Sequence, residues 1–162
     1  MTSYEQLQQL VNDYGIRLEE NLYLGNDHVQ PENYLLGISK RGRIGLAKEL
    51  ETDAERLCVL GEEFSHCLLT TGDITDLSKT ENMKQELQAR NFAYDLLVGI
   101  DGIADCIRNG CQNYYEAAEF LNVTENFLRS AVKHYHDKYG CRIEADTYDL
   151  YFEPALLLVE KP

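Results

Sequence analysis

The sequence predicts an α+β fold, mainly α. Apolar residues recur at three- and four-residue spacing through most of the chain, while alternating or continuous apolar stretches of strand type are confined to Tyr34–Ala47 and to the residues after Ile143. Two helix-start signals, Thr52 with Glu55 and Ser78 with Glu81, open the longest periodic segments.

The elements follow in order. Leu7, Leu10, Val11 and Tyr14 give an amphipathic helix over Tyr4–Tyr14, ended by Gly15. A loop comes next and includes the Gly-, Asn-, Asp- and Pro-bearing stretch Gly25–Asn33; Tyr34–Ser39 and Arg43–Ala47 then flank Lys40-Arg41-Gly42 as a hairpin. Ala54, Leu57, Cys58, Gly61, Phe64, Ser65 and Leu68 place a helix over 53–70, and Thr71-Gly72-Asp73 breaks it. A second long helix covers 79–98 and stops at Gly99. Shorter helices are expected over 100–108 and 114–121, then a tight Asn122-Val123-Thr124 turn and a helix to Tyr139. One or two terminal strands lie between Ile143 and Val159. The expected division is a core over 1–99 with a helical unit over 100–162 packed on it.

At 162 residues the chain suits a single domain or a domain with a small appendage. Its 44% hydrophobic and 27% charged residues are the balance of a packed globular protein. With 28 acidic and 15 basic side chains the formal charge is −13, which disfavours phosphate backbones and anionic lipid and favours protein or cation partners. The densest basic cluster, Lys40, Arg41 and Arg43, sits at the hairpin tip and reads as a solvated turn. No apolar run approaches the ~20 residues that span a bilayer, and Met1–Leu10 has no signal-peptide character, so a cytoplasmic location is expected. Five cysteines without a Cys-x-x-Cys pair suit reduced thiols, and Cys106 and Cys111 lack zinc-ligand spacing.

The chemistry concentrates on the two long helices. At 100° per residue, Glu62 and His66 project from one edge of the buried stripe that contains Cys58, Gly61 and Ser65, and Glu63 lies further round. An H-E-x-x-H helix uses this layout: residues i and i+4 hold a zinc ion and the Glu at i+1 activates a water. Glu62 replaces the first His here, and the same spacing is also that of an ordinary carboxylate–imidazole pair on a solvated edge. On the next helix, Glu86 shares a stripe with Ala89, Ala93 and Leu97 and is expected to face the core, as a third ligand or as the partner of Arg90 one turn on.

Three strings, Leu60-Gly61-Glu62-Glu63-Phe64-Ser65-His66-Cys67, Thr70-Thr71-Gly72-Asp73-Ile74 and Lys84–Tyr94, resemble the ImmA/IrrE family of metallo-endopeptidases, its phage and mobile-element branch above all. Tyr115–Thr124 and Tyr151–Leu156 resemble the same branch, so the likeness runs from Arg43 to the C-terminus. The resemblance implies a zincin-like core, with a small hairpin or sheet and two metal-bearing helices, followed by a helix-turn-helix-like C-terminal unit. It also implies a Zn²⁺ or other divalent metal site with Glu63 as catalytic residue and Glu62, His66 and Glu86 as ligands. Glu62 stands where most of the family has His, and it reads either as a ligand or as a carboxylate supporting one. As a ligand it gives a formally neutral Glu/His/Glu shell, hence a weaker Lewis acid than three imidazoles would provide. The substrate implied is a partner helix-turn-helix repressor, cleaved in the bacterial host cytosol to release lysogenic or mobile-element genes. The alternative is a regulatory protein that only docks to that repressor.

Tyr94 and Arg90 are candidates for a supporting or transition-state role, and His134 and His136 could also steady an oxyanion. The Glu116–Tyr139 segment has a helix-turn-helix outline, but Arg129, Lys133 and Lys138 against Glu125 and Asp137 leave its second helix at 3 − 2 = +1. A DNA reader carries a basic stripe, so a structural or docking role is expected instead.

Overall fold

The computed structural model describes residues 2–69 and 79–162. The Thr71-Gly72-Asp73 break and the Ser78 cap lie outside them. Helix α1, Tyr4–Asp13, is closed at its start by a reciprocal cap: Gln6 N–H donates to Ser3 Oγ at 3.2 Å and Ser3 N–H to Gln6 Oε1 at 2.8 Å. Leu7 and Val11 of this helix are fully buried.

Strand β1, Arg17–Leu22, is a correction, because the sequence reading made this stretch loop. Arg17-Leu18-Glu19-Glu20-Asn21-Leu22 offers only two apolar side chains and no alternation. Its strand character comes from parallel pairing with β3, Arg43–Ala47, in the register Arg17↔Arg43, Leu18↔Ile44 and Glu19↔Gly45. Strand β2, Gly37–Lys40, completes the expected hairpin with β3, and the sheet order is β1-β3-β2. Arg41 and Gly42 have φ of 51° and 72°, the paired positive values of a two-residue turn whose twist matches its strands. Ile44 and Leu46 of the central strand are sealed in the core.

Helix α2, Asp53–Leu69, starts at the expected capping box: Glu55 N–H donates to Thr52 Oγ1 at 3.2 Å, and Thr52 N–H to Glu55 Oε2 at 2.8 Å. Helix α3, Lys79–Leu97, runs antiparallel beside it. Gly61 sets that approach, because a Cβ there would stand 2.7 Å from Leu97 Cδ1. Helix α4, Gly99–Arg108, leads to α5, Tyr114–Leu121, and α6, Glu125–Tyr139. Asn113 caps α5, Thr124 caps α6, and Asn122 turns the chain between them in the left-handed conformation. Three short strands close the chain: β4, Arg142–Glu144, β5, Tyr148–Tyr151, and β6, Leu157–Glu160, form an antiparallel sheet in that order. That is one strand more than expected, since three- and four-residue strands are too short to show alternation.

The described residues are mainly helical with two small sheets. One hydrophobic cluster includes residues from Tyr4 through Phe152. The C-terminal helices reach α3 through the Tyr94–Phe127 edge-on ring contact at 5.1 Å and a 2.8 Å hydrogen bond from the Tyr135 hydroxyl to Asp95. All five cysteines are free thiols. Among the described residues, no helix is long and apolar enough to cross a membrane.

Candidate active site

Helix α2 offers Glu62, Glu63 and His66 from one side of its buried face, each half-buried. Glu63 leans on β2. A Cβ added at Gly37 would meet Glu63 Cγ at 2.8 Å and Oε1 at 2.9 Å, so the glycine leaves the room this carboxylate occupies. Ser39, two residues along the same strand face, brings a hydroxyl near Glu63 that favours the charged carboxylate. Burial pushes the Glu63 carboxyl above the usual range; Ser39 and His66 oppose the shift and Glu86 adds to it. A carboxylate held in this way keeps a fixed direction and an enhanced affinity for a proton, as a general base requires.

Glu62 points into a neighbouring cleft of about 320 Å³, which Arg90 and Tyr94 of α3 and Thr124, Phe127 and Ser130 near the start of α6 also line. Burial raises its carboxyl too; the Arg90 guanidinium lowers it, Glu63 raises it, His66 lowers it and Glu86 raises it. Arg90 therefore acts on Glu62, across the helix pair. Tyr94 is buried, and its hydroxyl pairs with Ser130. It stands beside Glu62 and Arg90 on the wall of the cleft.

His66 and Glu86 meet across α2 and α3, with Nε2 to Oε2 at 3.5 Å. The expectation that Glu86 faces the core is corrected: its side chain is 62% exposed, against 20% for His66. Ala89, Ala93 and Leu97 fill the core stripe of α3, but Glu86 lies toward the end of the helix where Met83 and Leu87 are also exposed. The stripe thus reaches solvent before it reaches Glu86. Burial cost does not force a cation on this carboxylate; its proximity to His66 is what recommends it as a ligand.

Glu62, Glu63 and Glu86 bring three negative charges to the surroundings of one imidazole, with the Arg90 guanidinium as the cation that opposes them at Glu62. An imidazole nitrogen with carboxylate oxygens is a donor set that zinc accepts, and a divalent cation would relieve the mutual repulsion of the carboxylates. The donor types suit such an ion, but among the described residues no three of these side chains bring ligating atoms within 4.8 Å of one another; His66 and Glu86 stand 3.5 Å apart. The two other candidate histidines, His134 and His136, are otherwise engaged. The His134 ring packs on Tyr94 at 5.7 Å and on Tyr135 at 5.2 Å, while His136, in the last turn of α6, pairs with Glu153 at 2.8 Å.

Gly37 and Ser39 are the site residues that sequence reasoning missed. The signal was present, because period-two alternation places both on one face of the expected hairpin strand. What was lacking was the packing of that face on α2.

Residues 12–133 match the family model Peptidase_M78, the IrrE N-terminal-like domain. The match covers both long helices, the β1-β3-β2 sheet and most of α6. No curated protein and no solved structure matches the chain significantly.

Proposed function

Because the chain belongs to the IrrE N-terminal-like peptidase family, whose members are metallopeptidases that generally bind zinc, we propose that it is a phage-type, zinc-dependent endopeptidase whose substrate is a helix-turn-helix repressor. The observation that carries this reading is the placement of Glu63, held between Gly37 and Ser39 of β2 and electrostatically coupled to His66 and Glu86. His66 and Glu86, with Glu62 as the third donor, would hold the ion. When bound it would polarise a peptide carbonyl and make water more acidic.

Glu63 accepts a proton from the attacking water and later delivers it to the leaving amine, and its raised proton affinity suits both directions of transfer. Among the described residues strand β2 is an outer strand of its sheet, so an extended peptide laid along its outer edge would carry a scissile bond past Glu63. Arg90 and Tyr94 flank the adjoining cleft and would orient the substrate there. The net charge of −13 favours a basic partner, and a repressor that binds DNA supplies one.

Glu63→Gln tests the mechanism: it should keep fold and metal content and abolish cleavage of the partner repressor. Undiminished cleavage by this variant would overturn the assignment.

The exposure of Glu86 favours a second reading, in which the ion is held weakly and the protein acts by docking to the repressor without cutting it. Metal analysis separates the two. Less than roughly a third of a mole per mole lost on His66→Ala, with Zn²⁺ supplied to both proteins, would favour docking, since intact three-ligand sites hold zinc tightly.

A further inference from the structure

The last turn of α6 and the C-terminal sheet bring together an imidazole, a thiol and a carboxylate. The ligating atoms of His136, Cys141 and Glu153 all lie within 4.8 Å of one another. His136 Nε2 is 2.8 Å from Glu153 Oε1, and Cys141 Sγ is 3.4 Å from Glu153 Oε2. We propose that His136, Cys141 and Glu153 form a second metal site, for a borderline divalent transition ion of the Zn²⁺ class, which ties the end of α6 to the C-terminal sheet.

The donors are positioned by backbone rather than by chance meetings of long side chains. Gly140 N–H donates to His136 O at 2.8 Å and closes the helix directly before Cys141. Phe152 N–H donates to Cys141 O at 2.8 Å, which fixes the cysteine opposite the residue before Glu153. The buried Phe152 ring then stands edge-on to His136, with centroids 6.1 Å apart. Three chain segments are thereby locked into one corner.

Bonds of about 2.0–2.3 Å in a tetrahedron put donor atoms about 3.4–3.7 Å apart, so this trio closes on an ion by shifts of an ångström or less. One nitrogen, one sulfur and one oxygen donor select against Ca²⁺ and Mg²⁺, which take oxygen shells. The other imidazole nitrogen, Nδ1, lies 3.9 Å from Asp137 Oδ1, on the side where a carboxylate orients many metal-binding histidines. All three groups remain accessible to solvent, which leaves an entry path and a fourth position for water. Zn²⁺ would replace the thiol proton, giving a thiolate–metal bond, with the proton released to water.

Cobalt substitution tests this on the full-length protein. Co²⁺ bound here produces a near-ultraviolet thiolate-to-metal charge-transfer band. Cys141→Ser should remove the band and one equivalent of bound Co²⁺, whereas Cys67→Ser, altering the cysteine beside the α2 site, should leave both unchanged. Glu153→Gln should keep the band and weaken Co²⁺ binding by roughly tenfold or more, as loss of even a supporting partner does. A native circular-dichroism spectrum for each variant shows that folding is intact. No thiolate band in the wild type at saturating Co²⁺, or a band that survives Cys141→Ser, would overturn the proposal.

Discussion

Gly37 shows how one missing side chain can shape a site. Its φ is not in the left-handed region, so alanine is compatible with the backbone and the conflict is purely one of space. The added methyl carbon would stand 2.6 Å from Val59 Cγ1 and 2.8 Å from Glu63 Cγ. Gly37→Ala should therefore destabilise the protein by about 1–3 kcal/mol, the usual cost of overpacking. It should also lower repressor cleavage by roughly tenfold or more, because a displacement of about 1 Å at a reacting group costs up to about 10² in rate. Urea denaturation and a cleavage assay read the two effects; normal cleavage in the face of measured destabilisation would separate Gly37 from Glu63. Residue by residue, the α2 site was legible where it depended on local periodicity. Glu62, Glu63 and His66 share one side of one helix, and rotation at 100° per residue is enough to place them. Glu86 was legible in kind but not in environment, since periodicity gives the direction of a side chain and not the length over which a neighbouring helix covers it.

At the scale of the element, the start of α2 decides how firmly this helix is held. The Glu55 carboxylate accepts from Thr52 N–H at 2.8 Å and Glu51 N–H at 2.9 Å, and these backbone donors, Thr52 first, hold its carboxyl below the usual 4.5. A carboxyl lowered in the folded state contributes stability that is complete above the unfolded value and fades as pH falls through the folded one. Glu55→Ala should accordingly cost about 0.5–1 kcal/mol at neutral pH, a capping magnitude reduced for solvent screening. The difference from the wild type should shrink below pH 4.5. Chemical denaturation of both proteins across that range checks it; a gap that stays constant would mean the cap acts through shape and not through charge. The same box was readable from Thr52 and Glu55 alone, because a cap is a local device with a fixed three-residue spacing. Strand β1 was not readable, for the opposite reason: Leu18 becomes part of a strand through its partner Ile44, which is 26 residues away in the chain. Of the short strands β4 to β6, one goes beyond the one or two expected, because three- and four-residue strands are too short to show alternation.

Taken whole, the chain shares its core between the helices that carry the site and those that follow. Phe127 packs edge-on against Tyr94, and Tyr135, fully buried, reaches Asp95, so α6 supports the helix that holds Arg90 and Glu86. The expected boundary at residue 99 falls at the junction of α3 and α4, and the hydrophobic cluster continues across it. A common core predicts a common transition. Leu128, 2% exposed on α6, gives the clearest probe because it lies outside both groups of candidate ligand side chains. Leu128→Ala should lower stability by about 2–5 kcal/mol through the lost transfer energy and the cavity left behind. If the core is cooperative, the slowest-exchanging amides of α2 should lose protection along with those of α6, and thermal unfolding should remain one transition. Two separated transitions, with α2 protection unchanged, would instead mean that the C-terminal helices rest on an independently stable peptidase core. In that case the influence of α6 on Arg90 and Tyr94 would be confined to contact at the cleft wall.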